Sequence, residues 1–149
     1  CWRESQLGHL ITYLLFGNIW MAFKKLRLGK LEEAEDLVNQ IKWPSWLSRQ
    51  HRAYYHFIKG MIALQKKELP EGEKHLITAM DIGLRTPNDK ALVALNLAHI
   101  CYVGKRVEDS KNYLGQAKSF NSNDLMIRQN IEHLEKVLDS PPFPRDLLN

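Results

Sequence analysis

Small residues recur along this chain at a fixed interval of 38. One column is Ala22, Gly60 and Ala98, and a second is Ala34, Gly72 and Ser110. A third is Ile41, Ala79 and Ala117, with apolar companions in step at Leu26, Leu64 and Tyr102 and at Val38, Leu76 and Leu114. Within each copy the columns are separated by 12 and then 7 residues. A period of this length is the mark of a repeated supersecondary unit. A small residue lets one helix backbone approach the next, while the Leu or Tyr beside it fills the groove. The columns therefore predict a helical hairpin repeated three times, in which the 12-residue step carries the chain from the first helix round a turn and onto the second. Gly29-Lys30 and Gly104-Lys105 read as those turns, with glycine supplying a left-handed helix ending. Lys66 to Leu69 makes the turn without glycine in the middle copy.

Helical periodicity dominates the rest of the chain and strand signals are nearly absent. Leu31 to Ile41 carries apolar residues at 31, 34, 37, 38 and 41, a spacing of three and four that places them on one helix face. The same habit predicts helices over Trp46–Lys66, Pro70–Gly83, Asp89–Val103, Val107–Phe120 and Asp124–Leu138. Proline at position 70 suits a first helical turn, and Thr86-Pro87-Asn88-Asp89 has the shape of a capping box. Ser122-Asn123-Asp124 opens the last helix, whose Asn130, Glu132, His133, Glu135 and Lys136 are polar while Leu125, Ile131, Leu134 and Leu138 are apolar. Such a wetted helix is what closes the end of a repeat array. Three segments follow: residues 1–14 as the start of an apolar helix or the remnant of an anchor, 15–139 as the repeat domain, and 140–149 as an extended tail with three prolines.

The pattern of small residue, turn, small residue and then alanine near the end of the second helix resembles the tetratricopeptide repeat (TPR). It covers roughly residues 15–120. Leu97-Ala98, Ser110 and Ala117 carry it in the third copy, and Gly60, Gly72 and Ala79 in the second. The first copy departs from it at Lys25 and Ile41, and the period exceeds the family's usual 34 residues. The resemblance implies an all-α, right-handed α-solenoid of antiparallel hairpins with a C-terminal capping helix. In that family the first helices line a concave groove that holds a peptide or a partner helix. Carried over by position, the lining is Phe16, Ile19 and Phe23, then Tyr54, Phe57 and Met61, then Leu92, Leu95, His99 and Tyr102. Asn96 matches an asparagine of the family's carboxylate-clamp members. Their lysines and arginines have no counterpart here, so capture of a carboxyl-terminal peptide is not implied.

The run Leu7 to Phe23, LGHLITYLLFGNIWMAF, has no formally charged residue and is followed by Lys24, Lys25 and Arg27. Two readings follow from it. One is a membrane contact whose basic flank lies on the cytoplasmic side. The other is a helix buried against its neighbours, through which an isolated chain pairs with a second copy or folds back on Leu31–Ile41. Cys1 and Cys101 make no disulfide framework, which agrees with a reducing, cytoplasmic setting.

The 149 residues are 44% apolar and 26% charged, which excludes a disordered tail and a disulfide-dense mini-domain. Net charge is +4, with the excess in the middle third at Arg49, Arg52, Lys59, Lys66 and Lys67. No nucleophile elbow, zinc-protease motif, phosphate loop or dinucleotide fingerprint is present. The histidines are scattered: His51 and His56 point to different faces of one helix, as do His99 and Cys101, so no metal site and no cofactor are implied. Glu32, Glu33, Glu35 and Asp36 suit a helix start, where the dipole favours acidic residues. The expected function is a non-enzymatic protein–protein interaction scaffold. The alternative is an RNA or single-strand nucleic-acid-binding helical repeat, for which the basic middle third and Tyr54-Tyr55 speak. A third class, an accessory domain of an enzyme, has no residue in its favour.

Overall fold

Three turns set the architecture, and they are built alike. In a computed structural model of the chain, which describes residues 17–140, the left-handed residues Gly29 (φ 74°), Lys67 (φ 61°) and Lys105 (φ 60°) stand 38 apart. The residue after each donates its N–H five positions back: Lys30 to Lys25 at 2.9 Å, Glu68 to Ala63 at 2.8 Å, and Arg106 to Cys101 at 2.8 Å. The left-handed residue itself donates three positions back, to Leu26, Leu64 and Tyr102. This pair of bonds is the Schellman ending, which satisfies the last carbonyls of a helix. Lys30, Glu68 and Arg106 are also the N-caps of the next helices, so three residues separate the helices of each hairpin.

Gly104 is not left-handed, contrary to the sequence reading. It lies at φ −78°, ψ 7°, and Lys105 takes the strained position instead. The register of the helix, not the location of the glycine, decides which residue ends it.

Among the described residues the fold is all-α, with seven α-helices and no strand. They are α1 (17–27), α2 (Leu31–Asn39), α3 (Arg49–Gln65), α4 (Leu69–Ile82), α5 (Pro87–Val103), α6 (Val107–Ser119) and α7 (Leu125–Asp139), with a 3-10 turn at Pro44–Trp46. The helix expected from Trp46 begins at Arg49. Trp46 belongs to the 3-10 turn, Leu47 is extended, and the Ser48 hydroxyl accepts the His51 N–H as the cap of α3. The equivalent caps are Thr86, which accepts from the Asp89 N–H, and Asp124, which accepts from the Met126 and Ile127 N–H groups. Caps at 48, 86 and 124 continue the 38-residue interval, so α7 occupies the register of a first helix in a fourth copy.

The chain divides into two compact units, Cys1–Leu84 and Arg85–Asn149. In the first, α3 packs on α4 and α2. The Gly60 and Gly72 backbones meet there so closely that a Cβ built on either would lie 3.3 Å from the other's carbonyl oxygen. In the second, α5, α6 and α7 pack on one another. The equivalent crossing of α5 and α6 is closed by the Ser110 hydroxyl, which donates to the Ala98 carbonyl at 2.7 Å. Ala22, Ala34, Ala79, Ala98, Ser110 and Ala117 are all 0% exposed, and Val38, Leu76 and Leu114 are buried beside them. These positions thus lie in the interiors of the two units. Leu26 and Leu64 are half-buried, and Tyr102 is exposed.

Of the Leu7–Phe23 run, residues 7–16 lie outside the described residues, as does the extended tail beyond Ser140. The remainder opens α1, where Ile19, Ala22 and Phe23 are buried. Among the described residues no helix is long and apolar enough to cross a membrane.

Candidate functional site

The groove-lining set divides on inspection of each unit. In the first, Ile19, Phe23, Tyr54 and Phe57 are buried and Met61 is half-buried. Phe23 meets Tyr54 edge-on at 5.5 Å and Phe57 at 5.8 Å, and Tyr54 meets Phe57 at 6.1 Å. This cluster joins α1 to α3, and aromatic faces and edges in such arrangements attract beyond their area burial. Its rings are therefore occupied with one another. Trp20, one turn before Phe23, stacks on it at 5.8 Å and is 63% exposed. The Arg27 guanidinium lies 5.7 Å from the centre of the Phe23 ring. In the second unit Leu95 is buried, Leu92 is half-buried, and His99 and Tyr102 are exposed. Asn96 donates its side-chain amide to the Leu92 carbonyl one turn back. Phe16 lies outside the described residues.

A feature that periodicity could not show lies in the connector from α2 to α3. Trp43 and Trp46 stack on each other at 5.2 Å with ring planes 20° apart, and they are 56% and 68% exposed. Pro44 fixes the first turn of the short 3-10 segment that holds them together. Two large indoles left in water contribute little to the core, and each carries the area typical of an interface anchor. Lys42 and Ser45 beside them are exposed.

Two of the acidic residues grouped at the start of α2 are engaged in solvated pairs. Glu33 meets Lys25 and Glu35 meets Lys66, and the Lys25 ammonium holds the Glu33 carboxyl below its ordinary range. Lys118 of α6 donates to Glu135 of α7 at 2.7 Å. His51 is bonded to Ser48. Sequence spacing gave no sign of a second pairing: His56 of α3 faces His75 of α4, with Nδ1 to Nδ1 at 3.0 Å and rings stacked at 5.2 Å. Their pairing arises because α3 and α4 cross, not because of any local motif. Among the described residues no three metal-capable side chains converge.

The chain matches no protein-family model, no curated protein and no solved structure.

Proposed function

We propose that this chain is a protein-interaction module, a TPR-like solenoid of right-handed sense that binds a protein segment and carries out no reaction of its own. The observation that carries the reading is the Trp43–Trp46 stack, two indoles each more than half exposed on a fold whose core does not use them. Exposed aromatic anchors of this size are the usual centres of binding energy at protein interfaces. Helical-hairpin repeats supply a frame for such anchors, and the three hairpin turns here are held by paired backbone hydrogen bonds. Half-buried Met61, in the same unit as the stack, extends the list of contact residues.

The experiment compares the intact chain with a Trp43→Ser/Trp46→Ser variant in capture from a native lysate, with and without ribonuclease. A specific protein held by the intact chain, released by the double substitution and indifferent to ribonuclease supports the proposal. Identical captured proteins from both forms overturn it. The nucleic-acid reading draws on the same stack, since an indole face also accepts a base, with Lys42 adjacent in sequence. Salt-sensitive binding of a labelled single-stranded RNA, lost in the same variant, would favour that reading instead.

A further inference from the structure

The His56–His75 pair belongs neither to the repeat columns nor to the tryptophan surface, and its geometry has a chemical consequence. An Nδ1···Nδ1 separation of 3.0 Å is a hydrogen bond, so one nitrogen carries the proton and the other offers its lone pair. The two rings accept one further proton without losing that bond. A second gives both Nδ1 atoms a hydrogen and leaves neither an acceptor.

The surroundings oppose that charge. On α3 the pair is faced by Arg52, by Lys59 and by Tyr55, whose ring meets His56 edge-on at 5.3 Å. From α4 come Lys74 and the carboxylate of Glu71, 3.9 Å from His75 Nε2 and itself mostly exposed. On α2, Asn39 accepts from Lys59 at 2.8 Å, and Glu35 is paired with Lys66. Burial, then the charges of His75, Arg52 and Lys74, hold His56 down to about 4. Burial also lowers His75, opposed by Glu71 and reinforced by Lys59 and Lys74.

We propose that His56 and His75 form an acid-sensitive latch on the α3–α4 hairpin, closed while one Nδ1 keeps its lone pair and opened when both rings are cationic. Because the folded-state value lies below the unfolded value of 6.5, the unfolded chain binds more protons in acid. The latch is therefore intact above about pH 6.5 and is lost as pH falls through that window toward about 4. A single histidine shifted from 6.5 to about 4 raises the unfolding equilibrium constant about 30-fold between pH 7.5 and pH 5. Solvent screening of a half-buried pair brings the expected rise to about tenfold.

The test is urea unfolding of the full chain at pH 7.5 and pH 5, alongside a His56→Gln/His75→Gln variant. The intact chain is expected to lose about tenfold more in its folding equilibrium than the variant over that interval. An equal acid response in both forms overturns the latch. Should the variant fail to fold, an NMR titration of the histidine rings in the intact chain decides. One ring titrating below pH 5, with α3 and α4 amide exchange accelerating in step, supports the proposal. Both rings titrating independently near 6.5 overturns it.

Discussion

Gly60→Ala adds one methyl at the crossing of α3 and α4. Its Cβ would lie 2.7 Å from Leu76 Cδ2, 2.8 Å from Leu76 Cγ and 3.3 Å from the Gly72 carbonyl oxygen. Carbon atoms pack at about 3.5–4.0 Å, so the branch carbon of Leu76 must retreat by roughly 1 Å. Leu76 is 0% exposed, and its retreat requires α4 to move or a strained rotamer to form. Overpacking of this kind costs about 1–3 kcal/mol, and exchanging Gly for Ala inside a helix returns up to about 1 kcal/mol. The middle of the overpacking range less the full propensity gain gives an expected net loss of about 1 kcal/mol.

Gly72→Ala is the internal control. Its Cβ would lie 2.6 Å from Leu64 Cδ2, 3.1 Å from Leu64 Cγ and 3.3 Å from the Gly60 carbonyl oxygen, but Leu64 is half-buried, so its side chain can swing away where Leu76 cannot. The helix-propensity gain should then bring the variant to within about 1 kcal/mol of the parent. Urea unfolding followed by tryptophan fluorescence measures both, because Trp20, Trp43 and Trp46 lie in the unit that contains this crossing. A Gly60→Ala variant as stable as the parent, or less affected than Gly72→Ala, would refute the packing argument.

Three further outcomes are expected. Lys105→Gly should stabilise the chain by up to about 1 kcal/mol by relieving a side chain held at φ 60°, whereas Gly104→Ala, at φ −78°, should leave the melting temperature nearly unchanged. Asp124→Ala removes the acceptor of two N–H groups at the start of α7 and should cost about 1 kcal/mol, with faster amide exchange in the first turn. Ala98→Leu and Ala79→Leu, both at 0% exposed positions, should each cost about 1–3 kcal/mol in denaturant titrations. The same change at exposed Lys118 should have little effect.

The interior of this fold was readable because small residues at helix crossings leave a periodic trace: the Ala22, Ala34, Ala79, Ala98, Ser110 and Ala117 positions are all fully buried. The caps at Thr86 and Asp124 were readable for a similar reason, since a side-chain oxygen beside a helix start has few other uses. Turn chemistry was only half legible. Glycine marks the left-handed residue at position 29, but at 67 and 105 helix register forces lysine into the same conformation. The aromatic stripe was ambiguous by nature, because Phe23, Tyr54 and Phe57 have the same spacing whether they face a groove or one another. Trp43 and Trp46 carry no helical period, and only the 3-10 turn brings their rings together. His56 and His75 are 19 residues apart on two helices, a pairing that depends on how α3 crosses α4.

The central claim is that one hairpin geometry is repeated in register along the chain, and backbone dihedral angles test it most directly. Three-bond HN–Hα couplings and Cα and Cβ chemical shifts of Lys67 and Lys105, measured by NMR on the intact chain, report φ without reference to packing. The expected result is a left-handed conformation at both lysines, near φ 60°, each followed by a non-helical N-cap residue, Glu68 or Arg106. Ordinary right-handed values at either lysine would mean that the hairpins do not share one turn, and would contradict the repeat.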